Sequence, residues 1–101
     1  MADDQPDIEL QRLAARLDVC EALLWASEHP QEILAIVTGE ATGTDAIRQL
    51  GRSPYNFTEF QAHCILDIPL RRLSPQNVRL LRDEVERLRS GGDWSPTTWQ
   101  P

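Results

Sequence analysis

The stretch Ile65–Leu81, ILDIPLRRLSPQNVRLL, decides how this chain folds. Its apolar residues fall at helical spacing, yet Pro69 stands where the helix begun upstream should continue. Proline lacks the amide proton and its ring clashes with the preceding turn, so a helix running through ILDI must stop there. Ser74 followed by Pro75 is a start signal, a capping hydroxyl ahead of a residue whose fixed φ suits a first helical turn. The segment therefore reads as helix, redirecting turn, helix, with Arg71 and Arg72 paired in the turn.

Outward from this turn the helical signals continue. Downstream, Val78, Leu81, Val85 and Leu88 repeat at alternating three- and four-residue steps, and Gly91-Gly92 end the helix. Upstream, Thr58 and Gln61 have the spacing of a capping box for a helix over TEFQAHCILDI. The preceding GRSPYNF has loop chemistry, and a short helix capped by Thr42 or Thr44 runs to Leu50 and stops at Gly51. Pro30 and Glu32 open a helix whose buried side is Ile33, Leu34, Ile36 and Val37, with Gly39 as its C-terminal stop. By composition alone ILAIVTG also fits a short buried strand, but its Pro-Gln-Glu entry favours helix.

Nearest the start, a long helix runs from Asp7 to His29, capped by Asp4 or Asp7. Its Leu10, Leu13, Leu17, Cys20 and Leu24 form a heptad seam. Two such seams, one near each end and separated by short helices, predict an all-α fold: an antiparallel helix pair, or coiled-coil stubs, whose tip is capped by a small bundle of short helices. The expected organisation is an N-terminal tail over 1–6, one helical domain over 7–90 and a flexible C-terminal tail over 91–101. Trp94 and Trp99 lie in that last segment.

Charge supports the pairing. The 101 residues carry a formal net charge of −6, and all 10 basic residues are arginine. Residues 1–45 hold 10 acids and 2 arginines, and residues 46–101 hold 6 acids and 8 arginines. Glu9, Asp18, Glu21 and Glu28 of the first helix are expected beside Arg79, Arg82, Arg87 and Arg89 of the last. The acidic balance argues against a non-specific nucleic-acid binder, which needs phosphate-neutralising cations. No secretory signal pattern and no membrane-length apolar run is present, so the chain reads as cytoplasmic with no membrane partner.

Chemistry-bearing clusters are sparse. Cys20 and Cys64 read as reduced, buried thiols, although spacing does not exclude their pairing. His63 and Cys64 are adjacent, about 100° apart on a helix, which is poor geometry for joint metal ligation or a nucleophile pair. Asp83, Glu84 and Glu86 read as a solvated helix face. No metal, cofactor or catalytic residue is expected from these patterns.

The segment ILDIPLRRLS resembles part of the exit-gate end of the A subunit of bacterial DNA gyrase and topoisomerase IV. In that family an Ile-Leu-Asp-Met-like run enters a Leu-x-Arg-Leu-Thr turn and then the returning arm of a long coiled coil. The matching positions are Ile65, Leu66, Asp67, Ile68, Leu70, Arg72, Leu73 and Ser74. FTEFQAHCILD is similar to the family's helix leading into that turn, and RLDVCEALLWASEHPQEILAIV to the end of its descending arm and first gate helix. The resemblance covers roughly residues 12–90. It implies that Leu70 and Leu73 fill the turn while Arg71 and Arg72 reach carboxylates or carbonyl ends.

The resemblance also implies a role. In the family this region holds two subunits together and opens to release transported DNA. Type II topoisomerases cleave DNA with a tyrosine beside an arginine, whereas Tyr55, the single tyrosine, sits in SPYNF with no adjacent arginine. The expected function is therefore a non-catalytic dimerisation or interaction module with no cofactor. It would form a homodimer, or pair with a gyrase or topoisomerase IV A subunit. Apolar residues around the tip give the dimer its physical motive: Trp25, Ile33, Ile36, Tyr55, Phe57, Phe60, Ile68 and Leu70. The expected interface is Tyr55, Phe57, Ile68, Leu70, Arg71 and Arg72. A second reading is a nucleic-acid-associated or transcription accessory protein using Arg71, Arg72, Arg79 and Arg82, although direct DNA binding fits the acidic balance poorly.

Overall fold

The structure is a computed structural model; it describes the backbone of residues 4–90 and the side chains of residues 10–90. Five α-helices and one 3-10 turn make up the described residues, with no strand among them. They are α1 (Asp4–Glu28), α2 (Pro30–Gly39), α3 (Gly43–Leu50), α4 (Glu59–Leu66) and α5 (Pro75–Arg89), with the 3-10 turn at Leu70–Leu73 before α5. The fold is all-α. ILAIVTG lies within α2. Asp7 lies inside α1 and does not cap it. Residues 91–101, including Gly91-Gly92, Trp94 and Trp99, and the side chain of Glu9 lie outside the described residues.

Helices α1 and α5 pack side by side and run antiparallel. Arg82 reaches Glu28 at 2.6 Å and Arg89 reaches Glu21 at 3.1 Å, so the order of partners reverses along the two helices. Between them lies an apolar cluster of Cys20, Leu23, Leu81, Val85 and Leu88. Leu13, Leu17 and Leu24 pack against it from α1. Leu10 is 65% exposed and stands away from it. At 1.5 Å per residue, the 25-residue α1 outreaches the 15-residue α5 by about 15 Å, which explains that exposure. Val78 is half-buried, near the start of α5.

The second cluster forms the cap. Ala22 and Ala26 of α1, Ala46 of α3 and Ala62 of α4 are each at most 2% exposed. Alanine at these contacts lets the helix backbones approach closely, and Ile36, Leu50 and Ile65 fill the remaining space. α1 is thus buried on two sides over its last two turns, by α5 on one and the cap on the other.

Local sequence chemistry places these short helices. Thr58 and Gln61 form the expected capping box: the Gln61 amide donates to Thr58 Oγ1 at 3.1 Å, and the Thr58 amide to Gln61 Oε1 at 2.9 Å. The Gln61 side-chain amide also donates to the Asp18 carbonyl at 2.8 Å, tying α4 to α1. Thr42, rather than Thr44, caps α3 by accepting from the Asp45 amide at 3.1 Å. Gly51 ends α3 in right-handed helical geometry, so its role there does not require glycine's freedom. Asn56, with φ of 57°, does occupy the left-handed region, which asparagine tolerates. Ser74 precedes Pro75 as expected, but its hydroxyl makes no backbone cap; it accepts from Asn77 Nδ2 at 3.2 Å. Asn77 also donates to the Arg71 carbonyl at 3.2 Å, bracing the turn into α5.

Candidate functional site: the apolar groove at the hairpin tip

A groove of about 170 Å³ opens at the tip, between α2 and the segment running from α4 into the 3-10 turn. Pro30, Ile33, Leu34 and Val37 form one wall, at the i, i+3, i+4, i+7 spacing that lies along one stripe of a helix. Leu66, Ile68, Leu70 and Leu73 form the other, with Ala26 and Ile65 at its base. Leu34 is 63% exposed, Val37 42% and Leu70 83%.

This arrangement corrects the expected burial of α2. Ile36 is buried and Ile33 packs partly against the cap, whereas Leu34 and Val37 face outward. Helix α2 is apolar over a wider arc than α1, α3 and the base of the groove cover. Leu70 likewise does not fill the turn; Pro69 and the 3-10 geometry direct it outward. Phe60, 67% exposed, lies outside the groove lining.

The aromatic residues expected at an interface are engaged within the chain. Trp25 stacks on His29 with centroids 4.9 Å apart, and meets Tyr55 and Phe57 each at 5.3 Å in tilted or edge-on geometry. Tyr55 and Phe57 are half-buried and anchor the loop between α3 and α4 onto α1. The Glu32 carboxylate, acting on the Tyr55 hydroxyl, raises its pKa above the ordinary value. Ile68 packs against both apolar clusters. Arg71 is exposed beside the groove, and Arg72 is half-buried and engaged within the chain.

No group of three or more metal-ligating side chains comes together among the described residues. His63 is exposed with its ring 3.8 Å from Glu59, while Cys64 packs against the α1–α5 cluster. The adjacent pair therefore faces two environments. Both cysteines are free thiols, and burial raises both pKa values, that of Cys20 to about 11. No helix of the described residues is long and apolar enough to cross a membrane.

One acidic residue departs fully from expectation. Asp83 and Glu86 are exposed, but Glu84 is 0% exposed and lies inside the α1–α5 contact. Its carboxylate oxygens sit 3.5 Å from Arg16 of α1 and 3.6 Å from Arg87. The signal was in the sequence: Glu84 follows Leu81 by three residues and precedes Leu88 by four, which places it on the seam face.

The molecule is thus a capped helical hairpin presenting an apolar groove at its tip. No family model matches the chain. It is similar to the DNA gyrase A subunit of Brachyspira hyodysenteriae, 31% identical over 83 residues, which are 82% of this chain and 10% of that subunit. The Clostridium acetobutylicum gyrase A subunit is 30% identical over 83 residues, covering 81% of this chain and 10% of the subunit. The topoisomerase 4 A subunit of Bacillus subtilis is 32% identical over 80 residues, covering 79% and 10%. Over about four-fifths of its length, then, this chain resembles the A subunits of DNA gyrase and topoisomerase IV, and it spans about a tenth of the length of these relatives.

Proposed function

We propose that this chain is a non-catalytic interaction module of the DNA-topology machinery, associating through its tip with a second copy or with a gyrase or topoisomerase IV A subunit. The observation that carries the reading is the groove wall of Leu34, Val37 and Leu70, large apolar side chains held toward solvent by α2 and the 3-10 turn. Contiguous exposed apolar surface of this kind favours a partner, and a two-fold contact between identical patches is its commonest solution. The similarity to A subunits supplies the second candidate partner. Strand cleavage of the topoisomerase kind would need a tyrosine beside an arginine. Tyr55 instead packs against Trp25 and has no arginine as a chain neighbour.

The nucleic-acid reading draws less support. Of its four arginines, Arg82 is committed to Glu28, and the chain's net charge is −6.

Sedimentation of the parent at micromolar concentration, alone and with a purified gyrase A subunit, tests the proposal. The expected result is self-association or a mixed complex, abolished by Leu34→Arg or Leu70→Arg in chains that keep the parent's helicity and melting temperature. A parent that stays monomeric in both experiments overturns it.

A further inference from the structure

Glu84 is an expensive residue for a helix seam. It has no exposed surface, and neither of its oxygens makes a hydrogen bond among the described residues. Two guanidinium groups about 3.5 Å away balance its charge, and one of them, on Arg16, comes from the opposing helix with its side chain 19% exposed. Replacing a buried ion pair by well-packed apolar side chains is often neutral or stabilising, so this pair is a poor route to stability. Its better-attested use is to restrict which helices pair.

The surrounding charges give that restriction a direction. On α1, otherwise acidic along this contact, the seam residue is basic Arg16 and the flanking residues are Glu21 and Glu28. On α5 the pattern is inverted: acidic Glu84 within, Arg82 and Arg89 flanking. Two α1 helices meeting through this face would set arginine on arginine inside and glutamate on glutamate outside. Two α5 helices would bury two carboxylates together, each keeping its own Arg87 but losing the Arg16 that α1 supplies. Only α1 with α5, antiparallel, satisfies all three pairs.

We infer that Arg16 and Glu84 are specificity determinants, admitting an α5-type helix to the α1 seam and excluding like-with-like pairing between copies. Self-association is thereby diverted away from the hairpin flank. The inference does not depend on the tip function proposed above, because it concerns a different surface.

The test uses full-length chains. Arg16→Glu sets two carboxylates in the seam, and Glu84→Arg sets two guanidinium groups there, so each variant alone should lose most of its helicity. Mixed and refolded together, they contain complementary seams only between chains, α1 of one with α5 of the other. α5 is joined to the rest of the fold through the 3-10 turn, which can serve as the hinge for that exchange. The expected result is recovery of helical circular dichroism and, by native mass spectrometry, a 1:1 heterodimer exceeding either homodimer by roughly tenfold. A mixture no better folded than its components overturns the inference, as does either variant folding like the parent.

The apolar double variant Arg16→Met with Glu84→Met gives an independent arm. It should fold and should self-associate more than the parent, through flanks that no longer discriminate. If it keeps the parent's oligomeric distribution, the pair does not govern partner choice. If it fails to fold, the pair is a stability element, and the inference fails equally.

Discussion

Leu10 and Leu81 are both leucines of the heptad seams, and the structure separates them sharply. Leu81 is 1% exposed and belongs to the apolar cluster that it forms with Cys20, Leu23, Val85 and Leu88 between the two helices. Leu81→Ala removes three heavy atoms from a site whose walls are two helices held at fixed separation by the Glu28–Arg82 and Glu21–Arg89 pairs and by the cap. Such a site collapses poorly, so the lost transfer energy and the cavity term add, at about 3–4 kcal/mol within the usual range for leucine truncation. A small domain has only about 5–15 kcal/mol in all, and each kcal/mol shifts Tm by roughly 4–8 °C at this size. The variant should therefore melt about 12–30 °C below the parent. Leu10, 65% exposed beyond the end of α5, loses little packing on truncation and gains slightly in helix propensity. Leu10→Ala should lie within about 0.5 kcal/mol of the parent. Urea titrations followed by far-ultraviolet circular dichroism, with a common m-value, measure both. If the two truncations cost the same, the α1 overhang is packed and the assigned end of the helix pair is wrong.

Two further predictions concern capping and pH. Thr58→Ala removes the hydroxyl that caps α4 and should cost about 1 kcal/mol in the same titration. Gln61→Ala should cost more, since that side chain also bonds the Asp18 carbonyl; equal costs would show the tie to α1 to be energetically idle. The third expectation rests on Cys20, whose thiol burial holds near pKa 11 against an ordinary value of 9.0. Below pH 9 both folded and unfolded chains keep the proton, so this contribution to stability is fully present. Between about pH 9 and 11 the unfolded chain releases it and the native chain does not, so stability falls by up to about 2–3 kcal/mol. Cys20→Ala, although less stable near neutrality, should show a shallower decline over that interval. An unchanged slope would assign the alkaline loss to other groups.

Local signals determined where the helices begin and end. Pro69, Ser74-Pro75, Thr42 and the Thr58–Gln61 box each act within a few residues, through an absent amide proton or a reachable capping atom, so their consequences were legible before any packing was known. The seams of α1 and α5 were legible for a similar reason: helical periodicity sorts residues onto a face whatever the partner. What periodicity leaves open is how far the partner extends and how much of an apolar arc it covers. That is why Leu10 proved exposed, why Leu34 and Val37 line an open groove while Ile36 is buried, and why Leu70 projects from the turn. Nothing local announces Trp25, some thirty residues earlier in the chain, as the ring that Tyr55 and Phe57 meet; only the tertiary fold brings the three together. Glu84 marks the same boundary from the other side. Its charge argued for solvent and its position for the seam, and the position prevailed because tertiary packing set the Arg16 guanidinium from α1 beside its carboxylate.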